Sequence, residues 1–160
     1  MFRPARLAAV AACAATALAV VGASPAFAGT ATLTIDTCTL SAPSTGTPPA
    51  PVTVSASGSR ITRCTVSGAS NVSGNLTANS TLTTQADGSI TADVVRLQVR
   101  ATVLIIGVTC NYRATNVNLP LASAGPPTWT YTGSATATLE SGSSLCPATF
   151  AGSATVTVTP

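Results

Sequence analysis

The residues of this chain best suited to chemistry are its cysteines, four of which lie beyond residue 28: Cys38, Cys64, Cys110 and Cys146. Their spacings are much wider than those of zinc ligands, and the sequence holds no C-x-x-C pair and no histidine. Neither a metal site nor a redox pair is therefore expected. In a chain that is exported, an even number of cysteines predicts disulfide bonds, and the arginines and long apolar stretch within residues 1–28 predict export. Of the three possible pairings we favour Cys38–Cys64 with Cys110–Cys146, because each bond would then join neighbouring strands.

Catalysis in this chain would have to rely on carboxylates. The acidic residues are Asp36, Asp87, Asp93 and Glu140. Without histidine, the Ser-His-Asp and Cys-His arrangements are impossible. A glycosidase needs two carboxylates that face each other across a sugar, and a calcium site needs several converging oxygen ligands. Nothing in the sequence brings these four residues together, so we predict no catalytic residue, no metal, no cofactor and no enzymatic activity.

Two aromatic residues are the candidate ligand-binding residues. Trp129 and Tyr131 alternate with threonines, so both side chains would lie on one face of a strand. Such a pair can form a platform on which a ligand stacks, or it can fill the core of a small β domain. Both interpretations stay open at this point.

The segment 103–108, Val-Leu-Ile-Ile-Gly-Val, is the second candidate because it is apolar on both faces of a strand. It predicts a central strand covered on both sides, or the point where a long strand crosses from one sheet to another. The functional alternative is the floor of an apolar ligand cavity or a buried contact surface.

Residues 1–28 have the features of a cleavable secretory signal. Arg3 and Arg6 precede an apolar stretch from Leu7 to Gly22, and Ala26-Phe27-Ala28 forms a small-x-small cleavage site. The apolar stretch of about 16 residues is shorter than the roughly 20 that span a bilayer, so cleavage is expected rather than anchoring.

Cleavage would leave residues 29–160 as a single secreted domain with no stable membrane span. Lipidation at Cys13 is an alternative, because the Val-Ala-Ala before it resembles the box that precedes a lipidated cysteine. Only about six apolar residues precede Cys13, however, which is fewer than the roughly 7–15 of an export signal. Soluble secretion is therefore favoured.

Charged residues make up only 7% of the chain. Beyond residue 28, five arginines are balanced by four carboxylates, and lysine is absent. This balance lacks the basic footprint of a nucleic-acid-binding protein, so no nucleic-acid partner is expected.

Alternation of apolar residues with threonine or other polar residues is the strongest structural signal. It recurs in four segments, 30–36, 95–103, 128–139 and 154–159. One apolar face and one hydroxyl-bearing face are typical of antiparallel sheets that are wet on one side. We predict an all-β fold, an antiparallel β-sandwich (immunoglobulin-like or a partly closed barrel) stapled by two disulfides. The proline-rich segment 41–51 is predicted to be a surface loop, because proline does not fit a central strand.

Several short stretches near the end of the chain resemble a loose group of small secreted actinobacterial proteins rich in alanine and threonine. The likeness rests on Cys110-Asn111-Tyr112, on the threonine-rich region from Trp129 to Leu139, and on Leu145-Cys146-Pro147. The resemblance implies disulfide-bonded β structure in a bacterial, extracellular setting, and it implies no particular activity.

These observations favour a secreted, non-enzymatic protein that acts through its surface on an extracellular or cell-envelope macromolecule. One alternative is a binding module for a small apolar ligand or a glycan, which would use segment 103–108 or the Trp129/Tyr131 face. A second alternative is an oligomeric β-barrel or pore in an outer envelope, for which alternating strands are also suited.

Overall fold

The structure, a computed structural model, describes residues 28–160. The signal predicted for residues 1–28 and the alternative at Cys13 therefore lie outside the described residues, apart from Ala28, which begins the first strand. No helix in this part of the chain is long and apolar enough to cross a bilayer.

Eleven strands form the described part of the protein. They are β1 (Ala28–Ile35), β2 (Cys38–Thr45), β3 (Val52–Val54), β4 (Arg60–Cys64), β5 (Ala69–Leu76), β6 (Ser80–Thr84), β7 (Ile90–Val103), β8 (Ile106–Leu119), β9 (Leu121–Gly125), β10 (Thr128–Gly142) and β11 (Thr149–Thr159).

Eight of these strands close into an antiparallel barrel. The order around the barrel is β1-β11-β10-β8-β7-β6-β3-β2, and β2 pairs in turn with β1. The all-β, antiparallel part of the prediction is confirmed. The prediction of a sandwich gives way to its barrel variant, because β1 is hydrogen-bonded along both edges and so joins the two ends of the sheet.

Each of the three remaining strands pairs with one strand of the barrel. β4 pairs with β2, β5 pairs with β7, and β9 pairs with β10. β3 and β6 pair with each other, whereas no ladder among the described strands joins β4 to β5. β3 and β6 thus join β2 to β7 in one half of the barrel, which we call the closed half, and the other half has a seam between β4 and β5.

The half with the seam ends in four connections that lie at one end of the barrel, which we call the mouth. They are the turns at residues 36–37, 65–68 and 104–105 and the loop at residues 143–148. Antiparallel neighbours place these connections together, because each one joins a strand that runs towards the mouth to one that runs away from it.

Side chains fill the interior of the closed half. On β11, Ala154, Val156 and Val158 are buried in the core, and the threonines between them are half-buried on the outer face. Tyr131 and Leu119 are each 1% exposed. The alternation predicted from the sequence is thus confirmed, with a residual void of about 60 Å³ in this half.

The prediction that segment 41–51 is a loop is wrong for its first part. β2 continues through Pro43, and its neighbour Ala42 is fully buried. The carbonyl of Pro43 accepts a hydrogen bond from the backbone N–H of Ser55 at 2.8 Å, in the gap between β3 and β4. The backbone nitrogen of Pro43, which has no hydrogen to donate, points to the same side of β2. On that side, the ladders to β3 and β4 include no pair at Pro43. The gap in the ladder therefore makes proline acceptable in this strand.

The turn between β6 and β7 carries a hydrogen-bonded carboxylate. The Asp87 carboxylate accepts hydrogen bonds from the Ser89 hydroxyl at 2.7 Å and from the Ser89 backbone N–H at 2.9 Å. Since these bonds favour the ionised form, they hold the pKa of Asp87 below its ordinary value.

Replacing Ser89 with alanine is expected to raise the pKa of Asp87, whereas Ser89→Thr retains the hydroxyl and should keep that pKa low. NMR titration of the Asp87 carboxyl carbon measures the difference. A lowered folded-state pKa contributes stability above the pKa of the unfolded chain, and that stability is lost as the pH falls through the folded value. Below about pH 4, the free energy of unfolding should therefore decline more steeply in the native chain than in Ser89→Ala. An Asp87 pKa unchanged by Ser89→Ala would contradict this assignment.

Candidate ligand-binding cavity

The mouth half of the barrel encloses an apolar cavity of about 250 Å³, which we call the mouth cavity. Val66 and Gly68 of the β4–β5 turn and Leu145 of the β10–β11 loop are among its lining residues. Leu145 is also 44% exposed. The mouth cavity therefore reaches the surface at the mouth.

One wall of the mouth cavity is the long hairpin of β7 and β8. Alternate side chains of each strand line it, namely Leu97, Val99, Ala101 and Val103 from β7 and Val108, Cys110 and Tyr112 from β8. The residues between them, such as Arg100 and Thr102, are on the other face of the hairpin. The alternation of residues 95–103, read from the sequence as one apolar face, thus supplies a cavity wall.

The mouth cavity exists because small side chains occupy inward positions on several strands. Ala69 of β5, Ala101 of β7 and Ala137 of β10 all line it. In the closed half, comparable positions hold Leu119 and Tyr131, which fill the interior. The interior of an eight-stranded barrel can be filled by side chains or can hold one small ligand. In this chain, side chains fill the closed half, and the mouth half has room for a small ligand.

Both predicted disulfides are confirmed, and both border the mouth cavity. Cys38–Cys64 joins β2 to β4, and its two cysteines are partners in the ladder between those strands. Cys110–Cys146 joins β8 to the loop at residues 143–148. Since Cys38, Cys64 and Cys110 are lining residues, the two bonds secure the cavity wall from different sides.

The polar groups of the mouth cavity are few. Among the described residues that line it, only Ser67 and Tyr112 have side-chain hydroxyls, and none is charged. The Tyr112 hydroxyl donates to the carbonyl of Pro147 at 3.1 Å, and its ring lies 6.4 Å from that of Phe150. Burial raises the pKa of Tyr112, so its hydroxyl stays protonated and the cavity stays uncharged at neutral pH.

The carboxylates lie apart from this cavity. Glu140 is on the outer face, with oxygens 3.8 Å from Arg96 and 3.7 Å from Arg113. Asp36 is in a turn at the mouth, Asp87 is in the turn that follows β6, and Asp93 is in β7. Among the described residues, no group of three or more histidine, cysteine or acidic side chains is placed to hold a metal ion.

The two aromatic candidates lie in or against the core of the closed half. Tyr131 is buried in that core, and burial raises its pKa. Trp129 is half-buried and packs against the same core. Neither residue is among those that line the mouth cavity. Their participation in ligand binding stays a prediction.

The prediction that segment 103–108 is a covered strand is wrong. Leu104 and Ile105 form the turn between β7 and β8, and they are 84% and 93% exposed. The sequence does not predict this turn, because neither Leu104 nor Ile105 is the glycine, asparagine or aspartate that usually marks a tight hairpin. Val103 and Val108, the two ends of the segment, line the mouth cavity, and their part in ligand binding stays a prediction.

Sequence reasoning missed other residues that line the mouth cavity. Ile61 of β4, Val72 of β5 and Phe150 of β11 line it, but they are far apart in the sequence and follow no motif.

The fold and the cavity together define a disulfide-bonded, eight-stranded antiparallel barrel with an apolar cavity at one end. No protein-family model, curated protein or solved structure matches the chain. Its function therefore has to be inferred from the site itself.

Proposed function

We propose that this protein is an exported, non-enzymatic binding protein that holds one small, uncharged, apolar molecule in the mouth cavity. The observation that carries the proposal is an uncharged cavity of about 250 Å³, walled by aliphatic side chains and open at the mouth. Barrel mouths are among the places where small-ligand sites preferentially occur.

The size of the mouth cavity limits the ligand. An apolar cavity of about 150 Å³ can bind benzene, so a cavity of about 250 Å³ holds a molecule of two fused rings, and a third ring of a longer ligand would lie at the open mouth. At typical ligand efficiencies, such a molecule would bind with a dissociation constant on the order of 10 µM.

The chemistry of the lining favours an apolar ligand over a glycan. A glycan needs several hydrogen-bonding partners, whereas only Ser67 and Tyr112 supply hydroxyls and Tyr112 already donates to Pro147. A charged ligand would lose its hydration without gaining a counter-ion. The aliphatic walls, in contrast, gain free energy from every apolar surface removed from water.

Export is part of the proposal. Two disulfides are consistent with an oxidising, extracellular location. The arginines, the apolar stretch and the cleavage site within residues 1–28 also support secretion, and the resemblance to actinobacterial proteins supports a bacterial source. A binding protein outside the cell can carry an apolar molecule through water or hand it to an envelope component, which keeps the predicted envelope partner within the same function.

Titration of the oxidised protein with N-phenyl-1-naphthylamine tests the proposal. This uncharged dye emits more strongly in apolar surroundings, and we expect saturable binding with one dye per chain and displacement by naphthalene. Methyl NMR signals of Val99 and Ala101 should shift, while those of Val158 in the closed half should not. An increase in emission that never saturates, or shifts confined to the closed half, would contradict the proposal.

A further inference from the structure

The β7–β8 turn exposes aliphatic side chains at the mouth of the barrel. Leu104 and Ile105 are 84% and 93% exposed, and Ile106, the first residue of β8, is 54% exposed. Leu145 of the neighbouring loop is 44% exposed. We call these four residues the apolar rim. Soluble proteins rarely expose large aliphatic side chains in clusters, and exposed clusters of this kind mark interaction sites.

The backbone conformation of the β7–β8 turn is unfavourable for the leucine that it contains. Leu104 has a φ of 59°, a left-handed conformation that is unfavourable for residues with a Cβ atom and that hairpins usually give to glycine or asparagine. Leucine at this position therefore disfavours the turn, and its side chain gains little burial within the protein in return. Such a combination points to a role in contact with something outside the chain.

The charges of the hairpin favour an anionic partner. Of the three arginines on the β7–β8 hairpin, Arg96 and Arg113 lie 3.8 Å and 3.7 Å from Glu140, whereas Arg100 has no ion pair among the described residues. Arg100 is exposed on the outer face of β7, four residues and thus about 13 Å along the strand from Leu104. Asp36, at the β1–β2 turn, is the acidic residue of the mouth, and Arg63, one residue before the cavity-lining Cys64, offsets it.

We propose that the apolar rim inserts into the headgroup region of an anionic phospholipid surface. The exposed surface of these four residues amounts to roughly 450 Å², about half of the roughly 800 Å² that each partner buries in a standard protein–protein interface. A few aliphatic side chains on a projecting turn suit an insertion depth of about 5–10 Å, at which Arg100 lies beside the lipid phosphates. Each arginine near such a surface contributes about 1 kcal/mol, or roughly a fivefold change in partitioning.

Docking by the rim would bring the mouth cavity against the lipid phase. An apolar molecule could then pass between lipid and cavity without crossing water, which is a consequence that rests on the proposed function. The docking itself does not, because Leu104, Ile105 and Ile106 do not line the mouth cavity.

Flotation of the oxidised protein with phospholipid vesicles tests the inference. We expect binding to vesicles of phosphatidylcholine with phosphatidylglycerol and weaker binding to phosphatidylcholine alone. The double variant Leu104→Gly with Ile105→Ser should bind at least tenfold more weakly, since it removes two aliphatic side chains of the rim. Glycine suits the φ of 59° at residue 104, so we expect the variant to fold. Arg100→Gln should reduce binding about fivefold on the anionic vesicles only.

Leu121→Ser is the matched control, because Leu121 is a leucine in β9 that is 41% exposed and lies away from the mouth. Its vesicle binding should equal that of the native chain.

Absence of vesicle binding, or equal binding by the rim variant, would overturn the inference. Self-association in sedimentation velocity that only the rim variant loses would assign the rim to a second copy, and release of entrapped dye would indicate pore formation instead. Binding of N-phenyl-1-naphthylamine should be unchanged in the rim variant, so failure of this inference and failure of the proposed function are distinguishable.

Discussion

Replacing Ala101 with phenylalanine is expected to weaken the binding of N-phenyl-1-naphthylamine at least tenfold. Ala101 lies on the inward face of β7, opposite Val108 of β8, and both line the mouth cavity. Phenylalanine adds about 100 Å³ there, a large share of a cavity of about 250 Å³. Since the ring enters empty space rather than packed side chains, the free energy of unfolding should change by less than about 1 kcal/mol.

Thr102→Phe is the matched control for this substitution. Thr102 is the next residue of β7, pairs with Gly107 across the hairpin, and is not a lining residue of the mouth cavity. It adds a ring to the same strand outside the cavity, so dye binding should stay as in the native chain. Equal losses in the two variants would trace the effect to distortion of the hairpin, and undiminished binding in Ala101→Phe would place the dye elsewhere.

The strands were predictable because their signal is local. In β1, β7, β10 and β11, a period of two is visible within a few residues, and the burial of Ala154, Val156 and Val158 follows it directly. The disulfide pairing was predictable for a related reason. Cys38 and Cys64 end up on paired strands that are close in the sequence, so the pairing of near neighbours was the simplest arrangement.

The closure of the barrel was not predictable, because it depends on contacts between distant parts of the chain. β1 pairs with β11 as well as with β2, and the sequence of β1 is the same whether one or both of its edges are occupied. The β7–β8 turn escaped detection for the opposite reason. Leu104 and Ile105 form a turn although both are apolar, and the run of apolar residues around them therefore predicted a buried strand.

The mouth cavity was also hidden from the sequence. It depends on Ala69, Ala101 and Ala137 facing a common space from three strands, and alanine is abundant throughout the chain. A small residue leaves a void only where no large neighbour from another strand fills it, which is a property of the assembled barrel. The segment 103–108 showed where apolar surface was concentrated but not that part of it would be exposed.

Removing either disulfide is expected to cost a large part of the stability of the protein. The bonds close rings with sequence separations of 26 and 36 residues, and the chain-entropy model assigns about 3.5 and about 4 kcal/mol to rings of these sizes. Domains of this kind are stable by only about 5–15 kcal/mol. Urea unfolding of the double variants Cys38→Ala/Cys64→Ala and Cys110→Ala/Cys146→Ala, compared with the oxidised native chain, measures both losses. A loss below about 1 kcal/mol in either variant would contradict the entropic argument.

The two variants should nevertheless differ in ligand binding at temperatures where both are folded. β4 keeps its ladder to β2 after Cys38 and Cys64 are replaced, so that wall of the mouth cavity stays in place. The loop at residues 143–148 lies between β10 and β11 and is joined to β8 by Cys110–Cys146. Without this bond, hydrogen bonds from Tyr112 to the carbonyl of Pro147 and from the Leu139 N–H to the carbonyl of Ala148 still hold the loop, but each contributes only about 1 kcal/mol. We therefore expect N-phenyl-1-naphthylamine binding to be lost in Cys110→Ala/Cys146→Ala and retained in Cys38→Ala/Cys64→Ala. The reverse order would mean that β4, rather than the loop that carries Leu145, is the wall that depends on its disulfide.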